Sequence, residues 1–337
     1  MKAIGYLAPL PIAAEEALVD LTLPTPVLRP RDLLVRVAAV SVNPVDVKVR
    51  ANMAPAEGEA KVLGWDATGT VEAVGSAVTA FKPGDQVFYA GALDRPGANS
   101  ELHAVDERIV GRKPTSLSFT EAAALPLTAI TAWELLFDRL GVPYGVKTQE
   151  GAILVIGGAG GVGSILIQLA RRLTGLTVIA TASRPETVEW VRSMGAHHVI
   201  DHRQPLTEGL KAIGLPTVPY IAGLTATDRH LPAIVDALAP QGHLALIDDP
   251  KVLDVAPFKR KSASVHWEFM FTRPVFQTPD MAAQGRLLNE VADLVDAGVL
   301  RTTLNETLGP INAANLRRAH AQIESGTTIG KLVLAGF

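Results

Sequence analysis

The run Ile153-Leu154-Val155-Ile156 ends in Gly157-Gly158-Ala159-Gly160-Gly161-Val162-Gly163, five glycines in seven residues. It continues as Ser164-Ile165-Leu166-Ile167-Gln168-Leu169-Ala170-Arg171-Arg172, an amphipathic helical pattern. A β-branched strand, a glycine-rich turn and a helix, in that order, suit a dinucleotide pyrophosphate. Glycine lets the backbone approach phosphate without an intervening Cβ. The helix N-terminus adds unpaired N–H groups and the positive end of its dipole. Gly158, Ala159, Gly160, Gly161 and Val162 are therefore candidate phosphate-binding positions, and Gly158, Gly160 or Gly161, and Gly163 supply the G-x-G-x-x-G-like spacing.

Two plainer readings compete. Residues 151–170 carry no charge, so they match a membrane span in length, and Gly157-x-x-x-Gly161 resembles a helix-dimer motif. Each glycine inside a helix costs about 1 kcal/mol, which argues against a span with so many at its middle. An ordinary glycine-rich loop is the other reading, and the following segments oppose it. A second β run, Leu176 to Thr181, leads to a helix from about Pro185 to Met194, stopped by Gly195, and then to His198-Val199-Ile200. This β-α-β-α-β order has the spacing of half a Rossmann fold.

The net charge of −3 gives no electrostatic case for nucleic acid or an anionic membrane as main partner. With no cysteine, disulfides, iron–sulfur clusters and thiolate zinc sites are impossible. Pro9, Pro11, Glu15 and Glu16 break what would be the apolar core of a signal peptide, so a cytoplasmic protein is expected.

Around the glycine block the pattern differs. Residues 1 to about 125 read as β-rich. Strands are expected at Leu33–Val40, Thr68–Val74 and Gln86–Tyr89, and Ser118-x-x-Glu121 reads as a capping box. A helix is expected from Thr128 to Arg139. Further α/β elements run to about residue 248: a strand at Val218–Ala222, a helix at Asp228–Leu238 and a strand at His243–Ile247. Lys261–Met270 reads as a strand, residues 280–297 as a helix with Asp280 as its N-cap, Asn312–Ser325 as another helix, and Lys331–Leu334 as a closing strand. This order fits a nucleotide domain inserted into a second domain.

Together these segments resemble the medium-chain dehydrogenase/reductase superfamily, in its zinc-free quinone oxidoreductase or zeta-crystallin-like branch. They look most like a bacterial subgroup labelled "zinc-type alcohol dehydrogenase-like". The residues carrying the resemblance are Ser41-Val42-Asn43-Pro44-Val45-Asp46, Val62-Leu63-Gly64-Trp65-Asp66, Phe81-Lys82-Pro83-Gly84-Asp85-Gln86-Val87, Ala124-Leu125-Pro126-Leu127-Thr128 and the glycine block. The resemblance implies an α/β protein whose Rossmann dinucleotide-binding domain, residues 127–262, is inserted in a β-rich GroES-like catalytic domain, residues 1–126 and 263–337. It also implies a homodimer joined through edge strands near Ser262–Trp267.

In zinc-dependent members a Cys, a Gly-His-Glu and a further Cys or Asp hold the catalytic metal. Here Asn43 stands at the first Cys position and Trp65-Asp66 replace His-Glu, so no metal is expected. The adjacent His197-His198 read as turn residues rather than ligands. Asp46 matches a position beside the metal ligands, where it holds the turn or supports the site.

Where NAD enzymes place an acidic ribose ligand, this chain has Thr181-Ala182-Ser183-Arg184. A hydroxyl and a guanidinium suit a 2′-phosphate, so NADPH is the expected cofactor. Alternatively, Ser183 caps the helix that begins at Pro185. His202, after the third strand, matches the place of a phosphate-flanking Tyr in related quinone reductases. The resemblance further puts Asn43 and Thr128 near the nicotinamide, Thr225, Ile247 and Phe271 along the cofactor groove, and Lys331 close to it. Trp65 and Tyr89 would face the substrate, with Asn43, Tyr89 or water donating to its oxyanion. Trp65 and Tyr89 as core residues are the plainer alternative. The activity implied is NADPH-dependent reduction of quinones or related activated carbonyl compounds. The alternatives are an alkenal or enone double-bond reductase, and a cofactor-sensing or RNA-associated protein without turnover.

Overall fold

The computed structural model describes residues 1–148 and 150–337. The chain divides into two compact units, one of Met1–Ile130 with Phe271–Phe337 and one of Thr131–Met270.

The first unit is β-rich. Its larger sheet runs Leu304–Thr307, Lys331–Ala335, Asp32–Val42, Ala67–Val74, Gln86–Tyr89 and Val110–Arg112, with Leu102–Asp106 also pairing the long strand Asp32–Val42. A smaller antiparallel sheet joins Val19–Thr22, Lys2–Tyr6 and Lys61–Val62. Lys331–Ala335 pairs antiparallel with the end of Asp32–Val42, so Leu332 lies opposite Val42. That register brings a C-terminal residue, Lys331, beside Asn43. The strand runs on into the helix Pro44–Asn52, which sequence pattern alone does not show. Pro44 sits at its first position, where a missing N–H costs nothing. The Asp46 carboxylate accepts from Asn43 N at 2.8 Å and so closes the helix start.

The second unit holds a six-stranded parallel sheet, numbered here β1 (Ala152–Ile156), β2 (Thr177–Thr181), β3 (His198–Ile200), β4 (Val218–Gly223), β5 (Leu238–Leu246) and β6 (Ser264–Trp267). Its order is β3-β2-β1-β4-β5-β6, the doubly wound arrangement expected from the sequence. Every residue of β1 is buried. A parallel sheet covered on both faces needs a continuous apolar run rather than an alternating one. Leu154, Ile156, Ile179, Ile221, Leu244 and Leu246 pack in one cluster, joined by Leu210 and Ile234 from the helices Leu206–Ala212 and Thr227–Ala237. Truncating such a leucine to alanine costs about 2–5 kcal/mol.

The compact units divide at 130/131 and 270/271, a few residues after the domain bounds expected at 126/127 and 262/263. One reason is that β6 pairs in parallel with β5 and belongs to the nucleotide sheet. Several local expectations need correction. The helix expected at 128–139 is an α-helix over Pro126–Trp133 followed by a π-helical turn over Glu134–Arg139. The helix expected from residue 280 begins at Ala283. Asp280 does not cap it, because its carboxylate is bound by Arg273 Nε at 2.9 Å and Thr278 Oγ1 at 2.7 Å. Within Lys261–Met270 only Ser264–Trp267 is strand.

Candidate functional site

The glycine block forms a turn at the C-terminal end of β1. Gly157 takes φ +88°, a left-handed conformation that favours glycine, and its N–H donates to Thr181 Oγ1 at 3.0 Å. Gly160 precedes the helix Gly161–Leu173, whose first turn carries no acid and whose last turn holds Arg171 and Arg172. That charge order leaves the N-terminal dipole end unopposed. The glycines do different jobs. A Cβ on Gly163 would sit 2.5 Å from Gly157 O and 2.6 Å from Gly158 O, so this glycine lets helix and strand close on one another. A Cβ on Gly160 would meet only Gly157 O, at 3.6 Å, and otherwise open space. The turn therefore presents an uncovered backbone cradle around Ala159–Val162.

Neighbouring strand ends complete this crevice in the second unit. Thr225 follows β4, and its methyl would lie 2.9 Å from a Cβ on Gly157. Ile247 follows β5 and donates its N–H to Gly223 O at 3.2 Å. Asp248, which sequence reasoning missed, accepts from Thr227 N at 2.8 Å and Thr227 Oγ1 at 2.6 Å, fixing the chain just past Thr225. Ala226 between them is held at φ +51°, a strained conformation for alanine.

Ser183 and Arg184 follow β2, and His202 follows β3. Those two strand ends are adjacent, because Ala182 N donates to Ile200 O at 3.1 Å. Ser183 does not cap the helix Pro185–Met194. Arg184 occupies the cap position, and Thr187 Oγ1 accepts its N–H at 3.1 Å. The Arg184 guanidinium lies 3.3 Å from Glu186, both partly exposed. Burial first, then the positive charges of Arg203 and Arg229, pull the His202 imidazole below its usual range, against the pull of Asp201.

In the first unit, Asn43, Asp66 and Lys331 form one buried polar centre, each at most 3% exposed. Lys331 Nζ donates to Val42 O at 3.1 Å, to Asp66 Oδ2 at 2.9 Å and to Asn43 Oδ1. Asn43 Nδ2 donates to Asp66 Oδ2 at 2.8 Å and Trp65 O at 3.2 Å. Asp66 Oδ1 accepts the Leu127 N–H at 2.7 Å, at the start of the helix that carries Thr128. Thr128 Oγ1 donates back to Leu125 O at 3.1 Å. Burial raises the Asp66 carboxyl, opposed by Lys331 and these hydrogen bonds. Burial also pushes Asp46 up to about 7, against N–H donors from Asn43 and Gly64.

This arrangement corrects two expectations. The N–H donors of the Asn43 amide are committed inside the protein, to Asp66 Oδ2 and Trp65 O, rather than aimed at a substrate oxyanion. Tyr89 is likewise fully buried, with its hydroxyl 3.1 Å from His103 Nδ1. Trp65 is buried, donates to Ala92 O at 3.2 Å and meets Phe271 edge-on at 6.2 Å between ring centres. Sequence reasoning missed the structural weight of Asp66 and His103. Asp66 was visible only as a substitution in a metal motif, and its partner Lys331 lies 265 residues away.

Residues 29–126 match the alcohol dehydrogenase GroES-like domain, and residues 194–334 match the zinc-binding dehydrogenase family. A zinc-type alcohol dehydrogenase-like protein of Staphylococcus aureus is 40% identical over 339 residues, covering 99% of both chains. This chain belongs to the medium-chain dehydrogenase/reductase superfamily. A quinone oxidoreductase of Pseudomonas aeruginosa is 33% identical, covering 90% of this chain and 91% of its own. A 2-methylene-furan-3-one reductase of Solanum lycopersicum is 31% identical over 92% of this chain and 73% of its own. Among solved structures, a putative zinc-dependent alcohol dehydrogenase protein from Rhizobium etli superposes with a TM-score of 0.95 at 59% identity, covering 100% of this chain and 98% of its own. Escherichia coli quinone oxidoreductase complexed with NADPH gives 0.83 at 25% identity, covering 99% and 100%.

The superfamily is one of oxidoreductases, and the zinc in several of these names can be tested against the residues. Zinc takes about four Cys, His or carboxylate ligands. This chain offers Asn43, Trp65 and one carboxylate, Asp66, already paired with an ammonium. These residues do not fit a zinc ion. The glycine cradle does fit a dinucleotide, since a side chain there would fill the space that a pyrophosphate needs.

Proposed function

We propose that this protein is an NADPH-dependent, zinc-independent reductase of quinones or related activated carbonyl compounds. The observation that carries the reading is the uncovered glycine cradle at the end of β1, flanked by Ser183, Arg184 and His202 where an acidic ribose ligand would stand. A bound nicotinamide dinucleotide would supply hydride chemistry. The backbone of Gly158–Val162 and the helix N-terminus bind the pyrophosphate. Arg184, Ser183 and His202 receive the 2′-phosphate, while Thr225 and Ile247 line the groove. For the nicotinamide end the family resemblance suggests Asn43 and Thr128; within the first unit, Asp66 and Lys331 fix Asn43 and the helix start before Thr128. Trp65 would line the substrate end and Phe271 the cofactor groove, the two buried rings packed edge-on against one another.

An electron-poor quinone or enone accepts hydride without a Lewis acid, whereas an alcohol needs help to lose its proton. With Asn43, Tyr89 and Lys331 committed internally, the proton that completes reduction comes from water. The name of the tomato relative favours an enone double-bond reductase as the second reading. A panel of quinones, enones, aldehydes and alcohols, assayed with NADPH and NADH with and without a chelator, separates the readings. Alcohol oxidation lost on chelation would overturn both.

The proposal extends to a cytoplasmic homodimer joined through β6. Among the described residues this outer strand pairs only with β5, and Trp267 is 52% exposed. Light scattering that shows a monomer removes that part.

A further inference from the structure

Lys331 is a buried ammonium surrounded by oxygen. Its acceptors are a main-chain carbonyl, Val42 O; an amide oxygen, Asn43 Oδ1; and a carboxylate oxygen, Asp66 Oδ2. All belong to the first unit, and the ammonium and carboxylate are 3% and 0% exposed. Three oxygens of different kinds converging on one nitrogen form a coordination shell for a monovalent cation, with the protein's own side chain filling it.

We infer that Val42, Asn43 and Asp66 form a cation site whose resident ion is the tethered ammonium of Lys331. The ammonium balances the Asp66 carboxylate. It also fixes which way the Asn43 amide points, oxygen toward the cation and NH2 toward Asp66 and Trp65 O. Through the other Asp66 oxygen it holds the Leu127 N–H and hence the first turn of the helix bearing Thr128. Lys331 and Asp66 are thus positioning residues, joining the ends of strands Asp32–Val42 and Lys331–Ala335 to that helix. The inference concerns the cation shell alone and holds whatever reaction the protein catalyses.

Removing one partner of a buried ion pair strands the other charge, whereas replacing both by uncharged groups of similar shape is close to neutral. Chemical rescue follows from this. Lys331→Ala should lower the melting temperature by on the order of 10 °C. Methylammonium or ammonium chloride should restore much of that loss. Tetramethylammonium chloride at the same ionic strength, too large and without N–H donors, should not. Hydrogen exchange at the Leu127 amide should become faster in Lys331→Ala and slow again with methylammonium.

The neutral pair Asp66→Asn with Lys331→Met strands no charge but leaves Val42 O and Asn43 Oδ1 without their donor, so it should melt above Lys331→Ala, below the parent, and ignore ammonium salts. If Lys331→Ala does not fold alone, methylammonium should recover it, and the neutral pair should still fold. Equal responses to all three salts, a Lys331→Ala protein as stable as the parent, or a neutral pair less stable than Lys331→Ala would each overturn the inference. None of these readouts uses substrate or cofactor, so a failed activity panel leaves them untouched.

Discussion

Tyr89 and His103 fix one another's protonation. Their rings stack with centres 5.5 Å apart and 14° between planes, and Tyr89 Oη lies 3.1 Å from His103 Nδ1. Nε2 of the same ring lies 2.9 Å from Pro96 O, which can only accept. Nε2 therefore carries the proton, Nδ1 is the acceptor, and the Tyr89 hydroxyl donates to it. Burial drives the tyrosine upward and pulls His103 down to about 4. The pair is a neutral core element rather than a proton donor for a substrate.

Acid stability should depend on that pair. A histidine lowered from about 6.5 unfolded to about 4 folded stabilises the fold fully above pH 6.5, because only the unfolded chain protonates in between. The contribution is lost as pH falls from 6.5 towards 4, by about 3 kcal/mol in all. Asp46, raised by burial to about 7, acts with the opposite sign, weakening the fold as pH rises through the same range. The test is thus the difference between proteins. His103→Gln, which keeps a donor and an acceptor but does not titrate, should lose less stability than the parent between pH 7.5 and 4.5. Denaturant melts with parallel pH dependence would refute this.

Two glycines in one turn should fail differently. Gly160→Val has room within the protein, so its melting temperature should stay within a few degrees of the parent while NADPH binding is abolished. Gly163→Val drives a Cβ to 2.5 Å from a main-chain oxygen, an overpacking worth about 1–3 kcal/mol or more, so it should lose stability as well. A Gly160→Val protein that titrates NADPH like the parent would place the phosphate elsewhere.

Zinc should be dispensable. The charge that Asp66 needs is already supplied by Lys331. Purified protein should carry far less than one zinc per chain by elemental analysis, and dialysis against a chelator should leave both reductase rate and melting temperature unchanged. Stoichiometric zinc whose removal abolishes activity would contradict this.

What the sequence discloses depends on how local the physics is. The glycine block, β2, β3 and the helix Pro185–Met194 stand where the pattern puts them, because strand burial, glycine turns and a proline at a helix start act within a few residues. The capping box at Ser118 and Glu121 is present for the same reason. Asp280 has the sequence look of a helix cap, but a tertiary partner, Arg273, takes its carboxylate. The Asn43–Asp66–Lys331 centre joins residues far apart in the chain, and only the sheet register makes them neighbours. The motif positions were legible there; their internal pairing was not. Tyr89 shows the same gap, since its hydroxyl partner comes from the neighbouring part of the sheet.

Cofactor preference is the sharpest test of the turn after β2. Arg184 sits at the cap of the helix Pro185–Met194 with its guanidinium 3.3 Å from Glu186. Both side chains are partly exposed, so this ion pair is weak and a phosphate can compete for the guanidinium. A charge-assisted contact to a 2′-phosphate is worth about 1.5–3 kcal/mol, roughly ten- to a hundredfold in affinity. NADPH should therefore bind more tightly than NADH, and Arg184→Ala should weaken NADPH by that factor while barely changing NADH. Glu186→Gln removes the competing carboxylate and should tighten NADPH by a few-fold. A structural defect at the helix start would instead weaken both cofactors together. The measurement is a pair of dissociation constants for each protein at one ionic strength. A parent that prefers NADH, or equal losses for the two cofactors in Arg184→Ala, would mean that the 2′-phosphate is not read here.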